Sequence, residues 1–223
     1  MIASGVLQPG GRLPPEAELV ERFGASRGTV REAVRALVTA RVLDVRRGDG
    51  TYVTSLRPEL LAEGIAFAAD LMQPGFSIEL IEMRRILEPA ATAMAASRID
   101  PGTLTNLGTI LGRMRDASSP EAMIAADAEF HGIVAQASGN VTLASMLASL
   151  SGRTVRARVW RNISDEGAVA DTIAQHEAIY AALGVGDAAR AEAASLVHVA
   201  TTEEWIRRIL VEVPERADAT ESP

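Results

Sequence analysis

The chain contains only three histidines, and each falls where an apolar residue is expected. Read as helices, the segments around them put Met123, Asp127, Phe130, His131 and Val134 on one face. Val169, Ile173, His176, Tyr180 and Leu183 share a second, and Ala191, Ala194, His198, Trp205 and Ile209 a third. Asp127 and His131 are four residues apart and point the same way. An ionised carboxylate inside a core is costly unless it is paired or binds a metal. One aspartate with three neutral imidazoles is a competent N3O donor set for zinc, nickel, manganese or iron. The plain alternative is three separately satisfied core histidines. An open position on such a metal could also activate water, as in an enzyme, or the metal could be purely structural. Glu129 and Glu177 adjoin the ligands in sequence, but helix neighbours point about 100° apart, which predicts that both face away.

A second stretch suits phosphates and base edges. A helix starting after Ser26 places Val30, Ala33, Val34, Leu37 and Val38 on one side and Arg27, Thr29, Arg31 and Arg35 on the other. Ser26 is a good N-cap. Forked donors around a capped, positive helix end are what phosphates and guanine edges require. An ordinary surface helix with solvated arginines is the competing reading, and the neighbouring elements decide between them.

Upstream, Leu13-Pro14-Pro15 leads into a helix over about 16–23, and Gly24-Ala25 makes a tight turn, giving a helix-turn-helix. From Leu43 to Val53 the period changes to that of a β-hairpin with the tip Arg46-Arg47-Gly48-Asp49-Gly50. After a short polar connection, periodicity and turn residues predict helices over about 60–72, 77–97, 102–116, 120–137, 141–162, 167–183 and 188–211, with a disordered tail over 213–223. The expected fold is therefore mainly α: an N-terminal winged helix-turn-helix over 1–57 with a small β-hairpin wing, then a C-terminal all-α antiparallel helical bundle over 58–212.

Composition narrows the function classes. No cysteine excludes disulfides and thiolate metal sites. No apolar run approaches the roughly 20 residues that span a bilayer, and no signal peptide opens the chain, so a cytoplasmic protein without membrane contact is expected. Net charge is −7, yet residues 1–57 carry nine arginines against six acids, a balance of +3 that leaves −10 on the remainder. A basic module joined to an acidic body is the pattern of a DNA reader with a separate sensor or partner domain.

The first 53 residues resemble the GntR family of bacterial transcriptional regulators. The matching pieces are Gly5-Val6-Leu7-Gln8-Pro9-Gly10-Gly11-Arg12-Leu13-Pro14, Glu16-Ala17-Glu18-Leu19, Ser26-Arg27-Gly28-Thr29-Val30-Arg31-Glu32-Ala33 and Gly48-Asp49-Gly50-Thr51-Tyr52-Val53. The resemblance implies that Ser26, Arg27, Thr29 and Arg31 meet operator DNA in the major groove, with Arg47 and Gly48 on the wing. Three features depart from the family. Its usual first helix, before Gly5, is lacking, so that helix reads as truncated. Ala17 stands where many members carry a DNA-touching arginine, and Arg41 where a glycine commonly closes the recognition helix.

Residues 62–210 resemble the FCD ligand-binding domain of the FadR-type branch, through Glu82-Met83-Arg84-Arg85-Ile86-Leu87-Glu88, Asp127-Ala128-Glu129-Phe130-His131, Ser138-Gly139-Asn140, His176-Glu177-Ala178-Ile179, Gly186-Asp187-Ala188 and His198. That resemblance implies that Asp127, His131, His176 and His198 hold a divalent metal which a small organic or sugar acid approaches. Arg84 then either forks onto the effector's carboxylate or bridges to Glu88 one turn on. The whole reads as a dimeric, ligand-responsive regulator, a repressor by the commoner family outcome, with two winged modules on two half-sites.

Overall fold

The structure, a computed structural model, describes residues 1–58, 60, 76–151 and 167–212. The helix expected over 60–72 and the tail over 213–223 lie outside the described residues. The chain divides into two compact units, Met1–Phe67 and Ala68–Pro223. No helix among the described residues is long and apolar enough to cross a membrane.

In the first unit, α1 spans Glu16–Phe23 and α2 spans Arg27–Thr39. Acidic Glu16 and Glu18 open α1 and Arg22 closes it, matching the helix dipole. Gly24 ends α1 in the left-handed conformation, and the Ser26 hydroxyl accepts from the Thr29 N–H to start α2. Leu19 and Val30 are buried between the two helices. Being only eight residues long, α1 covers part of α2, and Phe23 remains 60% exposed beside Leu37 at 38%. The apolar stripe of α2 is thus half covered.

The hairpin pairs β1, Leu43–Arg46, antiparallel with β2, Gly50–Val53, in the register Leu43↔Val53 to Arg46↔Gly50. The sequence did not disclose a third partner. Gly10 N–H donates to the Val53 carbonyl, Val53 N–H to Gly11 and Leu13 N–H to Thr51, so residues 10–13 flank the hairpin. Arg12 crosses directly above Gly50, where a Cβ would stand 2.7 Å from its Nε, and Gly50 has φ +140°. The end of the Arg12 side chain could shift aside, so it is the φ that calls for glycine.

The second unit is a helical bundle: α3 Phe76–Ala96, α4 Pro101–Arg115, α5 Pro120–Ala137, α6 over the described residues 141–151, α7 Ala168–Gly184 and α8 Ala188–Glu212. Several of its helices start on side-chain caps, while α7 opens at Gly167 without one. Asp100 accepts from Gly102 and Thr103, Ser119 from Ala122, and Asp187 from Arg190, with proline at the first turn of α4 and α5. The main core joins Leu107, Ile110 and Met114 of α4, Phe130 and Val134 of α5, and Ile179 of α7. Ile81 of α3 packs against Val199, Trp205 and Ile206 of α8.

Arg41 has φ +59°, so the arginine adopts the left-handed conformation that a glycine would take without strain. Its backbone N–H donates to the Val38 carbonyl and its carbonyl accepts from the Thr54 hydroxyl, and neither bond needs a particular side chain. Arg41→Gly should therefore stabilise the winged unit by about 1 kcal/mol. Calorimetry of the full chain would read it as a higher transition temperature for that unit. A lower one would mean that the arginine's own contacts outweigh the backbone strain.

Candidate metal centre and nucleic-acid interface

Helices α5, α7 and α8 bring the four residues singled out by their apolar stripes to one point. Asp127, His131, His176 and His198 are all buried, and one ligating atom of each lies within 4.8 Å of the others. His131 Nε2 is 3.0 Å from His198 Nε2 and 3.2 Å from His176 Nε2. Asp127 Oδ1 is 3.2 Å from His176 Nε2 and 3.7 Å from His131 Nε2. Donors at zinc-like bond lengths are about 3.0–3.4 Å apart, so the set has the right size for one ion.

The outer nitrogens say which way the lone pairs point. His176 Nδ1–H donates to the Thr172 carbonyl at 2.7 Å, which leaves its Nε2 bare. His198 Nδ1 faces Gln175 Oε1 at 3.0 Å. The amide's orientation is fixed in turn, because Gln175 Nε2 donates to the Thr201 hydroxyl and that hydroxyl donates to the Val197 carbonyl. His198 Nε2 is therefore bare as well. His131 turns its Nδ1 toward Glu88, 3.6 Å from Oε2. Its Nε2 carries at most one proton, so at least one of the two short nitrogen–nitrogen approaches has no proton between its atoms, and the Asp127–His176 approach brings acceptor against acceptor. A cation at the centre answers all of them, and the residues present fit a divalent metal.

Burial, then the neighbouring His176 and His131, push the His198 pKa well below its ordinary value, keeping the ring in the neutral form that ligates. Phe130 packs edge-on against the His131 and His176 rings, at 5.8 and 4.9 Å between centroids, and closes one wall.

Arg84 and Glu88 of α3 stand beside this cluster. Arg84 is 1% exposed, and its Nε donates to Glu88 Oε1 at 2.5 Å, so the helical salt bridge weighed from sequence is made, and made inside the protein. Burial works against the guanidinium's charge, but Glu88, with Asp127 behind it, raises its pKa above the ordinary value. Glu129 and Glu177 face outward as expected. Each is about half exposed, Glu129 on Arg113 and Glu177 on Arg115.

Thr172, Gln175 and Thr201 went unnoticed in the sequence. Gln175 precedes a ligand by one residue, and only the packing of α7 on α8 makes it that of His198. Arg84 and Glu88 did carry a signal. With Ile81, Ala91 and Ala95 they complete a helical stripe, and all five are buried.

In the winged unit, Ser26, Arg27, Thr29, Arg31, Arg47 and Gly48 are all exposed. The Ser26 and Thr29 hydroxyls are hydrogen-bonded to each other at 2.9 Å, at the start of α2. Arg31 reaches back to Glu16. Among the described residues neither Arg27 nor Arg47 has an ion-pair partner. Arg47, Gly48 and Asp49 form the hairpin loop, closed by the Asp49 N–H to the Arg46 carbonyl, and Arg46 lies over the Tyr52 ring at 4.1 Å.

Comparison with known proteins bears on both sites. Residues 1–53 match the bacterial regulatory proteins of the gntR family, and residues 79–201 match the FCD domain. The chain is 32% identical to the HTH-type transcriptional regulator LutR of Bacillus subtilis, over 92% of its own length and 95% of that protein's. It is 30% identical to the galactonate operon transcriptional repressor of Escherichia coli, over 93% of each. Among solved structures it is similar to Streptococcus agalactiae GntR, with a TM-score of 0.63 and 28% identity over 91% of this chain and 93% of that one.

The histidine tautomers are directly measurable. In metal-free protein at neutral pH, nitrogen-15 NMR should find the proton of His176 and His198 on Nδ1, with Nε2 bare. A proton on Nε2 of either ring would contradict the donor orientation argued from Thr172 and Gln175.

Proposed function

Taking as premise that this chain belongs to the gntR family of bacterial regulatory proteins and is a DNA-binding transcriptional regulator with an FCD domain, we propose that its bundle senses a small carboxylic acid through a divalent metal. Asp127, His131, His176 and His198 would hold the ion. The carrying observation is the convergence of these four buried donors, with at least one short approach left without a proton to share.

A bound divalent cation supplies a Lewis-acid position that takes a carboxylate or hydroxyl oxygen. The chain's residues supply the rest. Thr172 and Gln175 hold two imidazoles in their ligating tautomers, and Phe130 seals one side. Arg84 offers a guanidinium in the same interior, its charge coupled to that of Asp127. An effector carboxylate would share or take over the place that Glu88 holds on it. The name of the Escherichia coli relative, a repressor of a galactonate operon, supports a sugar acid as the effector class and repression as the sign.

At the other end, Arg27, Arg31, Ser26 and Thr29 would enter the major groove, with Arg47 and Gly48 of the wing against the neighbouring backbone. A homodimer would place two such modules on a near-palindromic operator. For the acid to release DNA it must bind the DNA-incompetent state more tightly, and a tenfold effect takes about 1.4 kcal/mol.

Two experiments separate the halves. His176→Ala should lower bound metal and blunt the acid's effect on operator binding, while basal DNA affinity stays the same. Full metal content by elemental analysis would remove His176 from the ligand set. Arg27→Ala should weaken operator binding by about 1–3 kcal/mol if it reads a base, while metal content is unchanged. Unaltered binding in a gel-shift titration would take Arg27 off the interface.

A further inference from the structure

Glu16 is the first residue of α1, fifteen positions before Arg31 of α2, and its carboxylate straddles a single atom of that arginine. Arg31 Nε donates to Oε2 at 2.9 Å and to Oε1 at 3.1 Å. The side chains are 60% and 47% exposed, so as a stabilising pair they contribute little. The pair matters for direction. An arginine presents five donors in a rigid plane, and with Nε committed the edge that remains is the pair of terminal nitrogens. Neither of these hydrogen-bonds to any described residue. That edge is the one that matches O6 and N7 of a guanine.

We propose that Glu16 is a positioning residue for base readout, setting the direction in which Arg31 presents its terminal fork in the major groove. The proposal rests on the reading that Arg31 meets a base. It explains why a carboxylate sits on the face of the chain that approaches phosphates, where its charge opposes binding. A carboxylate there costs affinity for every duplex and returns selectivity for one. The two effects therefore carry opposite signs, which a purely structural contact would not produce.

The test uses the full chain and two duplexes: one selected from a randomised library by the wild-type protein, and one of the same length and composition with its sequence shuffled. At about 0.1 M salt, Glu16→Ala should bind the shuffled duplex two- to three-fold more tightly. Its selected-to-shuffled ratio should fall about tenfold, with the loss confined to the base pair whose preference Arg31→Ala also erases. Glu16→Gln, which keeps one acceptor for Nε without the charge, should retain most of the discrimination while still gaining affinity for the shuffled duplex. Thermal unfolding of both variants checks that α1 is intact. If Glu16→Ala raises both affinities equally, the carboxylate is only a repulsive charge and the proposal fails. If Arg31→Ala leaves discrimination intact, the reading of Arg31 itself is wrong. If Arg31→Ala destroys discrimination and Glu16→Ala does not, Arg31 reads DNA unaided and only the role of Glu16 is lost.

Discussion

A carboxylate and three imidazoles turned toward one point in a dry helical interior are mutually unfavourable without a positive charge among them. That constraint governs the bundle. It needs α5, α7 and α8 at one phase and spacing, because a helical residue shifted by one position points about 100° away. Two of the outer nitrogens are anchored as well, on the Thr172 carbonyl and on Gln175, so those rings have little freedom to turn aside. All four donor side chains are buried, and Phe130, which packs on two of the rings, belongs to the main apolar core with Leu107, Ile110 and Ile179. Dryness sharpens both sides of the balance, making the bare cluster costly and a central cation correspondingly favourable.

Much of this was legible because the relevant residues are rare. With three histidines in the chain, the presence of each in an apolar stripe stands out, and helical periodicity then places them on three separate elements. The start of α2 was readable from Ser26, and the hairpin from the change of period at Leu43. What stayed hidden depends on contacts between elements. The pairing of residues 10–13 with β2 is one case, since only the register of the hairpin edge gives Gly10 and Gly11 their partners. The orientation of Gln175 is another, because it needs Thr201 from the next helix. Arg41 shows a local rule overridden. The turn into β1 demands a left-handed residue there, and the backbone bonds to Val38 and Thr54 hold an arginine in it.

The two units use charge in opposite ways. In the winged unit the arginines are exposed, and several lean on acids of their own surface, Arg31 on Glu16 and Arg35 on Glu32. Such pairs leave the field outside the protein positive but fix where some guanidinium groups point. In the bundle the outer ion pairs tie helix to helix: Arg115 of α4 to Glu177 of α7, and Arg207 of α8 to Glu82 of α3. A net charge of −7 is therefore compatible with a DNA-binding chain, since the part that matches the gntR family carries a positive balance.

The arginine–glutamate pairs of α2 and α3 show how burial decides what one chemistry does. Arg31 and Glu16 are wet, so their attraction is screened and breaking it is cheap, and the pair can act on direction but hardly on stability. Arg84 and Glu88 are buried, so neither can lose its partner without leaving an uncompensated charge in the core. An anion of the right shape is one of the few things that could stand in for Glu88 at low cost. A buried arginine already neutralised by its own helix is thus compatible with the proposed anion-binding role, because the internal carboxylate would hold the site in the absence of an external one. The exchange becomes informative to the rest of the protein only if Glu88, once displaced, changes what it does to His131, 3.6 Å away on α5.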